Sequence, residues 1–193
     1  MPLTKVTVGL SYEGPLDKPI IHLISRIGLE NSVSTEIIHT IRAGSGLLGY
    51  VAPHLRQHLS YTPDVIIFLT DQDQTKDDLE RRVLEKVKNN APHYSARTVV
   101  GVPSPHFEAW LTRDDNLLKS YFALDGSRPI PGNELEPKSM LTSLHRGLTP
   151  ARSIFEVYEE LAQNIDMNVT AKKSPDFKRF QSALKMAFTA SSL

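Results

Sequence analysis

Five apolar residues in a row, Val65-Ile-Ile-Phe-Leu69, interrupt a chain that otherwise mixes hydrophobic and polar positions. A run this short and this rich in β-branched types predicts a strand buried on both faces, as in the middle of a parallel sheet. Residues 5–12 predict a first strand, with Val6, Val8 and Leu10 alternating with polar neighbours. Residues 33–41 and 97–102 predict two more. Helical spacing lies between them. Ile20, Ile21, Leu23, Ile24 and Ile27 mark a helix over 20–29, and 47–59 predicts another, in which Pro53 is expected to kink or break the helix. Over 76–89, Leu79, Val83 and Val87 share one face, while Asp77 and Asp78 fall in the first turn, favourable against the helix dipole. A turn at 103–106 then leads into a helix carrying Glu108, Ala109, Trp110 and Leu111. The order β-α-β-α-β-α-β-α has connections long enough for parallel crossovers. The expected class is therefore α/β, with a mainly parallel sheet flanked by helices.

The pattern changes after residue 124. Residues 125–137 are rich in Gly and Pro and carry no periodicity, which reads as a loop or flap. Helical stretches follow at 138–146, 152–165 and 175–188, the second with an apolar face of Ile154, Phe155, Val157, Tyr158 and Leu161. The expected organisation is a domain over 1–124, the loop, and a helical C-terminal extension over 138–193 packed on the domain.

Composition narrows function only by exclusion. Lys+Arg and Asp+Glu both number 22, so net charge points to no acidic or basic partner, although a local basic face remains compatible with nucleic acid. With no cysteine, disulfides, thiol nucleophiles and Cys-zinc sites are excluded. The N-terminus has no apolar leader, and no apolar run is long enough to cross a membrane. A soluble, cytoplasmic protein is expected.

Candidate chemistry lies where the predicted strands end. Glu13 and Asp17 follow the first strand, Asp71 and Asp73 the third, and Glu108 comes shortly after the fourth. In an open parallel sheet these ends share one edge, where ligands bind. Carboxylates gathered there suit Mg²⁺ or Mn²⁺, which bind one or two carboxylates together with substrate phosphates. Two such ions clamp the attacking and leaving oxygens of a phosphodiester displacement. The plainer reading makes Asp73 a helix cap and leaves the rest as loop acids. His106, two residues before Glu108, is a candidate contact to a phosphate.

A strand ending in Glu13-Gly14, an acid four residues on at Asp17, and a buried strand ending Asp71-x-Asp73 together resemble the Toprim domain. Topoisomerases, primases and the OLD (overcoming lysogenization defect) nucleases share that domain, and the Glu-x-x-x-Asp pairing is closest to the OLD branch. The segment Phe107-Glu108-Ala109-Trp110-Leu111 is similar to the Glu-Ala-Trp-Leu signature of a family of small Toprim-like proteins of unknown function. Ser174-Pro175-Asp176-Phe177-Lys178-Arg179-Phe180 is similar to the Ser-Pro-Ser-Phe-x-x-Phe ending of that family. The resemblance implies a metal-dependent nuclease fold, often met in bacterial antiviral defence. It implies Glu13 as general acid/base or metal ligand, Asp71 and Asp73 as ligands, and Asp17 and Glu108 helping to hold a first or second ion. The chain departs from the family in reading Glu13-Gly-Pro-Leu-Asp17, with Pro15 inside the turn. For the OLD-type catalytic lysine, Lys172, Lys173 and Lys178 are candidates by proximity to the Ser-Pro pair. Nucleic acid, DNA or RNA, is the implied substrate. No phosphate-binding Gly-x-x-x-x-Gly-Lys-Ser/Thr loop is present, so a nucleotide-driven step would need a partner ATPase.

Two other readings stand beside this one. Asp71-Gln-Asp73 after an apolar strand also resembles the first motif of haloacid-dehalogenase-type phosphatases, with Asp71 as nucleophile. Alternatively, a Toprim-like fold serves as a sensor or docking module without chemistry. Several further residues have plain structural explanations. Gly44-Ser-Gly46 reads as an ordinary loop before a phosphate cradle, and Trp110 as core before a base-stacking platform. His54 and His58, at i,i+4 without the glutamate of a His-Glu-x-x-His site, read as surface decoration. Arg42, Arg56 and Arg113 are candidates for a nucleic-acid groove.

Overall fold

The computed structural model describes residues 3–44, 46–72, 78–127, 130, 136–148 and 150–191. Asp73 and the segment around it, and most of the 125–137 loop, lie outside the described residues. Four strands form one parallel sheet: β1 (Thr4–Tyr12), β2 (Val33–Arg42), β3 (Val65–Leu69) and β4 (Thr98–Gly101). Their spatial order is β2-β1-β3-β4. The helices between them are α1 (Ile20–Glu30), α2 (Leu47–Leu59) and α3 (Leu79–Asn90). After the sheet come α4 (Glu108–Leu111), α5 (Asp115–Tyr121), α6 (Pro137–Arg146), α7 (Ile154–Asn164), α8 (Met167–Lys173) and α9 (Pro175–Ser191). The α/β class read from the hydrophobic pattern is thus the observed one.

β3 carries the core because its two faces feed different layers. Val65, Ile67 and Leu69 join a core with α1, α7 and α9, while Ile66 and Phe68 join a second core with α2 and α3. All five are buried. Each contributes about 1.5–3 kcal/mol on burial. β1 splits differently. Val6, Val8, Leu10 and Tyr12 face the larger core, and Gly9 and Ser11 face α2. Gly9 is required there by close approach, since a Cβ would stand 2.6 Å from the His58 ring.

Local differences from the sequence reading have local causes. α2 runs on through Pro53 without a break. α3 begins at Leu79, because the Asp78 side chain caps it by accepting from the Arg81 N–H at 3.0 Å. Asp78 is thus a cap and not a first-turn residue. The C-terminal helices contribute Val157, Tyr158, Phe177, Phe180 and Leu184 to the same core as β1 and β3. Among the described residues, no helix is long and apolar enough to cross a membrane.

Candidate functional site

The strand order places a switch point between β1 and β3. From β1 the chain moves outward to β2, and from β3 it moves the other way to β4. The crevice beyond the carboxyl ends at such a point is the usual ligand site of an open sheet. Tyr12 and Leu69 are register partners, so Glu13 and Thr70 emerge side by side. Glu13 is then held from three directions. Leu47 N–H and the Thr70 hydroxyl donate to its Oε1 at 2.7 and 3.1 Å, and Asp71 N–H donates to Oε2 at 3.2 Å. Leu47 is the first residue of α2, so a helix N-terminus, with Gly44 and Gly46 before it, meets this carboxylate. Both glycines have positive φ, +72° and +78°.

Three more acids close on the same place. Asp17 ends a short 3-10 turn, Pro15–Asp17, and accepts the Gly14 N–H at 2.6 Å. Asp71 accepts the Phe107 N–H on Oδ1 at 3.1 Å, and its Oδ2 lies 3.3 Å from His106 Nδ1. Glu108, only 3% exposed, accepts the Tyr158 hydroxyl at 3.0 Å. Glu13, Asp17, Asp71, His106 and Glu108, together with Arg42 and Lys138, line one open cleft of about 510 Å³. Each carboxylate that the sequence placed at a strand end and that the structure describes lines it.

The acids repel one another. Burial, with Glu108 and Glu13 as further causes, pushes Asp17 up to about 6. Asp71 is pushed up to about 8, by burial first and then by Asp17, Glu108 and Glu13. Burial and the neighbouring Glu108 also raise Tyr158. This is the electrostatic condition of a cluster that a divalent cation would relieve. The donor set is all oxygen apart from His106, which suits Mg²⁺ or Mn²⁺. The spacing is looser than a finished metal site. Among the described residues, no group of three or more His, Asp or Glu side chains stands ready to hold an ion.

Other candidates resolve as structure. Trp110 is fully buried between Phe107, Phe177 and Phe180, and its Nε1 donates to Asp176 Oδ2 at 2.8 Å. Asp176 also accepts from Ser104 N–H at 2.9 Å and the Ser174 hydroxyl at 2.6 Å. The Ser174–Phe180 motif therefore clamps α9 to the Trp110 segment and so supports Glu108 from behind. Lys173 pairs with Asp115 at 2.6 Å. The lysine in the cleft lining is Lys138, which follows the loop and carries no sequence signal of its own. Of Arg42, Arg56 and Arg113, Arg42 lines the cleft.

The histidine pair corrects the sequence reading. His54 and His58 are buried, at 5% and 0% exposure, not surface decoration. Ser11 Oγ lies 2.9 Å from His58 Nε2 and 3.2 Å from His54 Nδ1. His39 Nδ1 lies 3.1 Å from His58 Nδ1, and its ring stacks on Tyr61. Burial, with His39 and His54 nearby, pushes His58 down to about 3. These histidines are a hydrogen-bonded filling between β1, β2 and α2.

Comparison with protein-family models, curated proteins and solved structures finds no match to this chain.

Proposed function

We propose that the protein is a Mg²⁺- or Mn²⁺-dependent nuclease that cleaves nucleic-acid phosphodiester bonds at the Glu13–Asp71 cleft. The observation that carries this reading is the convergence of Glu13, Asp17, Asp71 and Glu108 on one crevice at the topological switch point. Glu13, Asp71 and Glu108 would hold the ion, with Asp17 beside them and Asp73 next along the chain. A bound divalent ion supplies Lewis acidity and a hydroxide-like water at neutral pH. The chain's own groups orient the rest. Leu47 N–H and Thr70 fix the Glu13 carboxylate, and Tyr158 fixes Glu108. His106 turns its Nδ1 to Asp71, and its Nε2–H edge is the one that would meet a phosphate oxygen. Lys138 and Arg42 bring positive charge to the rim of the acid cluster. The Toprim resemblance supports the same reading, with antiviral defence and a partner ATPase as the setting it implies.

A phosphatase using Asp71 as nucleophile is less well supported, because Asp114, of the acidic pair Asp114-Asp115 beyond β4, caps α5 by accepting the Leu117 N–H and also accepts the Asp166 N–H, and does not join the cleft lining. The docking-module reading draws on the hydrogen bonds that already engage these carboxylates within the protein and on their loose spacing. One experiment separates the nuclease and docking readings. The purified protein is incubated with plasmid, single-stranded DNA and total tRNA, with Mg²⁺, Mn²⁺ or chelator, beside Glu13→Ala and Asp71→Ala. Metal-dependent cleavage by the wild type, lost in both variants, is expected. No cleavage and no Mn²⁺ binding by calorimetry would overturn the nuclease reading in favour of docking.

A further inference from the structure

A second groove, of about 450 Å³, opens beside the acid cleft along α6. His106 and Lys138 line both cavities, so the two are neighbours across those side chains. α6 is two-sided. Met140 and Leu141 are buried in the core, while Lys138, Ser139, Thr142, Ser143 and Arg146 face the groove. These are two cations and three hydroxyls on one helix face. Lys138, Ser139, Ser143 and Arg146 are exposed. Glu136, at the N-terminal end, is the acid in the lining. From Lys138 to Arg146 the helix rises about 12 Å. Laid along the axis of a duplex, where successive phosphates of one strand rise ~3.4 Å, that spans roughly three to four phosphates.

The two cavities differ in charge: the cleft sets four carboxylates against Arg42 and Lys138, and the groove sets Lys138 and Arg146 against Glu136. The cleft gathers four carboxylates, and the groove leading out of it offers ammonium, guanidinium and hydroxyl groups. A small anion would need only the first. A polymer with a phosphate at each step needs both. Among the described residues no aromatic side chain lines the groove apart from the His106 ring, so base stacking is not what they offer.

We propose that the exposed face of α6 is the track for the sugar–phosphate backbone flanking the scissile bond, gripping about three nucleotides of one strand without reading their sequence. The proposal rests on the nuclease reading of the adjacent cleft and assigns that site a polymeric substrate. Phosphate contacts of this kind set register and carry no base preference.

The test measures binding of a fluorescein-labelled twelve-nucleotide single strand and of the matching duplex by anisotropy, with Ca²⁺ in place of Mg²⁺, over a salt series. The full chain is compared with Arg146→Gln and Arg146→Glu. Arg146 is exposed in the last turn of α6, and Mn²⁺ calorimetry on each variant reports whether the cleft is intact. Expected are a severalfold loss of affinity for Arg146→Gln and a larger loss for Arg146→Glu, with unchanged Mn²⁺ binding. The slope of log affinity against log salt becomes shallower by about 0.7 for a single strand with one contact removed, or about 0.9 for duplex. The better-bound probe identifies the form of the substrate. A wild type that binds Mn²⁺ while the variants bind both probes as tightly and with the same slope would overturn the track and leave the nuclease reading standing. A wild type that binds neither probe overturns the track as well. A wild type that binds no Mn²⁺ overturns the nuclease reading, while the anisotropy series still decides the track.

Discussion

Replacing Asp71 with Asn should make the metal-free protein more stable while damaging its function. In the fold Asp71 is pushed from 3.8 up to about 8, chiefly by burial and then by Asp17, Glu108 and Glu13. Its side chain is 19% exposed, so solvent screens it little. Keeping this carboxyl neutral at pH 7 costs the folded state up to about 4 kcal/mol, at 1.36 kcal/mol per pH unit above 3.8. Asn carries no such penalty. Its Oδ1 still accepts the Phe107 N–H, and its amide can donate to His106 Nδ1 in place of the present contact. The sign follows from linkage. A carboxyl raised in the folded state makes that state bind more protons, so the wild type loses stability as pH rises from about 4 to about 8. The variant lacks this slope.

Thermal melts in chelator from pH 5 to pH 9 should therefore show Asp71→Asn above the wild type by a gap that widens to about pH 8 and then stays level. A gain of about 2–4 kcal/mol corresponds to roughly 5–10 °C for a chain of this size. Adding Mn²⁺ should reverse the order of benefit. The wild type gains about 2.7 kcal/mol at a hundredfold excess over its dissociation constant, and the variant gains less. An Asp71→Asn melt below wild type at pH 8, or a gap independent of pH, would refute the claim that burial and the neighbouring acids raise Asp71.

Three further outcomes follow from other parts of the fold. His58 is pushed down to about 3 and is neutral in the folded state, so its contribution is complete above pH 6.5 and is lost as pH falls toward 3, at about 1.4 kcal/mol per unit. His58→Gln should be less stable at pH 8 yet show a flatter stability curve between pH 6.5 and 4; curves that run parallel would contradict this. Tyr158→Phe removes the donor to buried Glu108 and should cost about 1–3 kcal/mol in melts and weaken Mn²⁺ binding 10–100-fold by calorimetry. Unchanged Mn²⁺ affinity would separate Glu108 from the ion. In Gly101→Ala the new Cβ would meet Leu69 at 2.9 Å, Trp110 at 3.1 Å and Phe180 at 3.2 Å, all in the core. Overpacking there should lower stability by about 1–3 kcal/mol, read from denaturant midpoints at unchanged m-value.

Periodicity alone was enough to place β3, to mark the four sheet-forming segments along the chain and to predict much of the apolar core. Alternation and helical spacing are local properties, and burial of an apolar face rewards them wherever the chain goes. It also put Glu13, Asp17, Asp71 and Glu108 at strand ends, because a parallel sheet sends all its carboxyl ends to one edge. The tertiary structure alone decided which partners those acids have. Tyr158 lies 50 residues from the Glu108 it supports, and Leu47 lies 34 from the Glu13 it caps. Lys138 reaches the cleft only because α6 packs beside α4. His54 and His58 looked like surface residues because i,i+4 spacing says which face of a helix a side chain occupies and not what that face meets. What it meets is Gly9 and Ser11 of β1, a glycine that makes room and a hydroxyl that satisfies the ring nitrogens. Side-chain type and spacing are written along the chain, whereas desolvation and charge coupling arise only when distant segments are brought within a few ångströms.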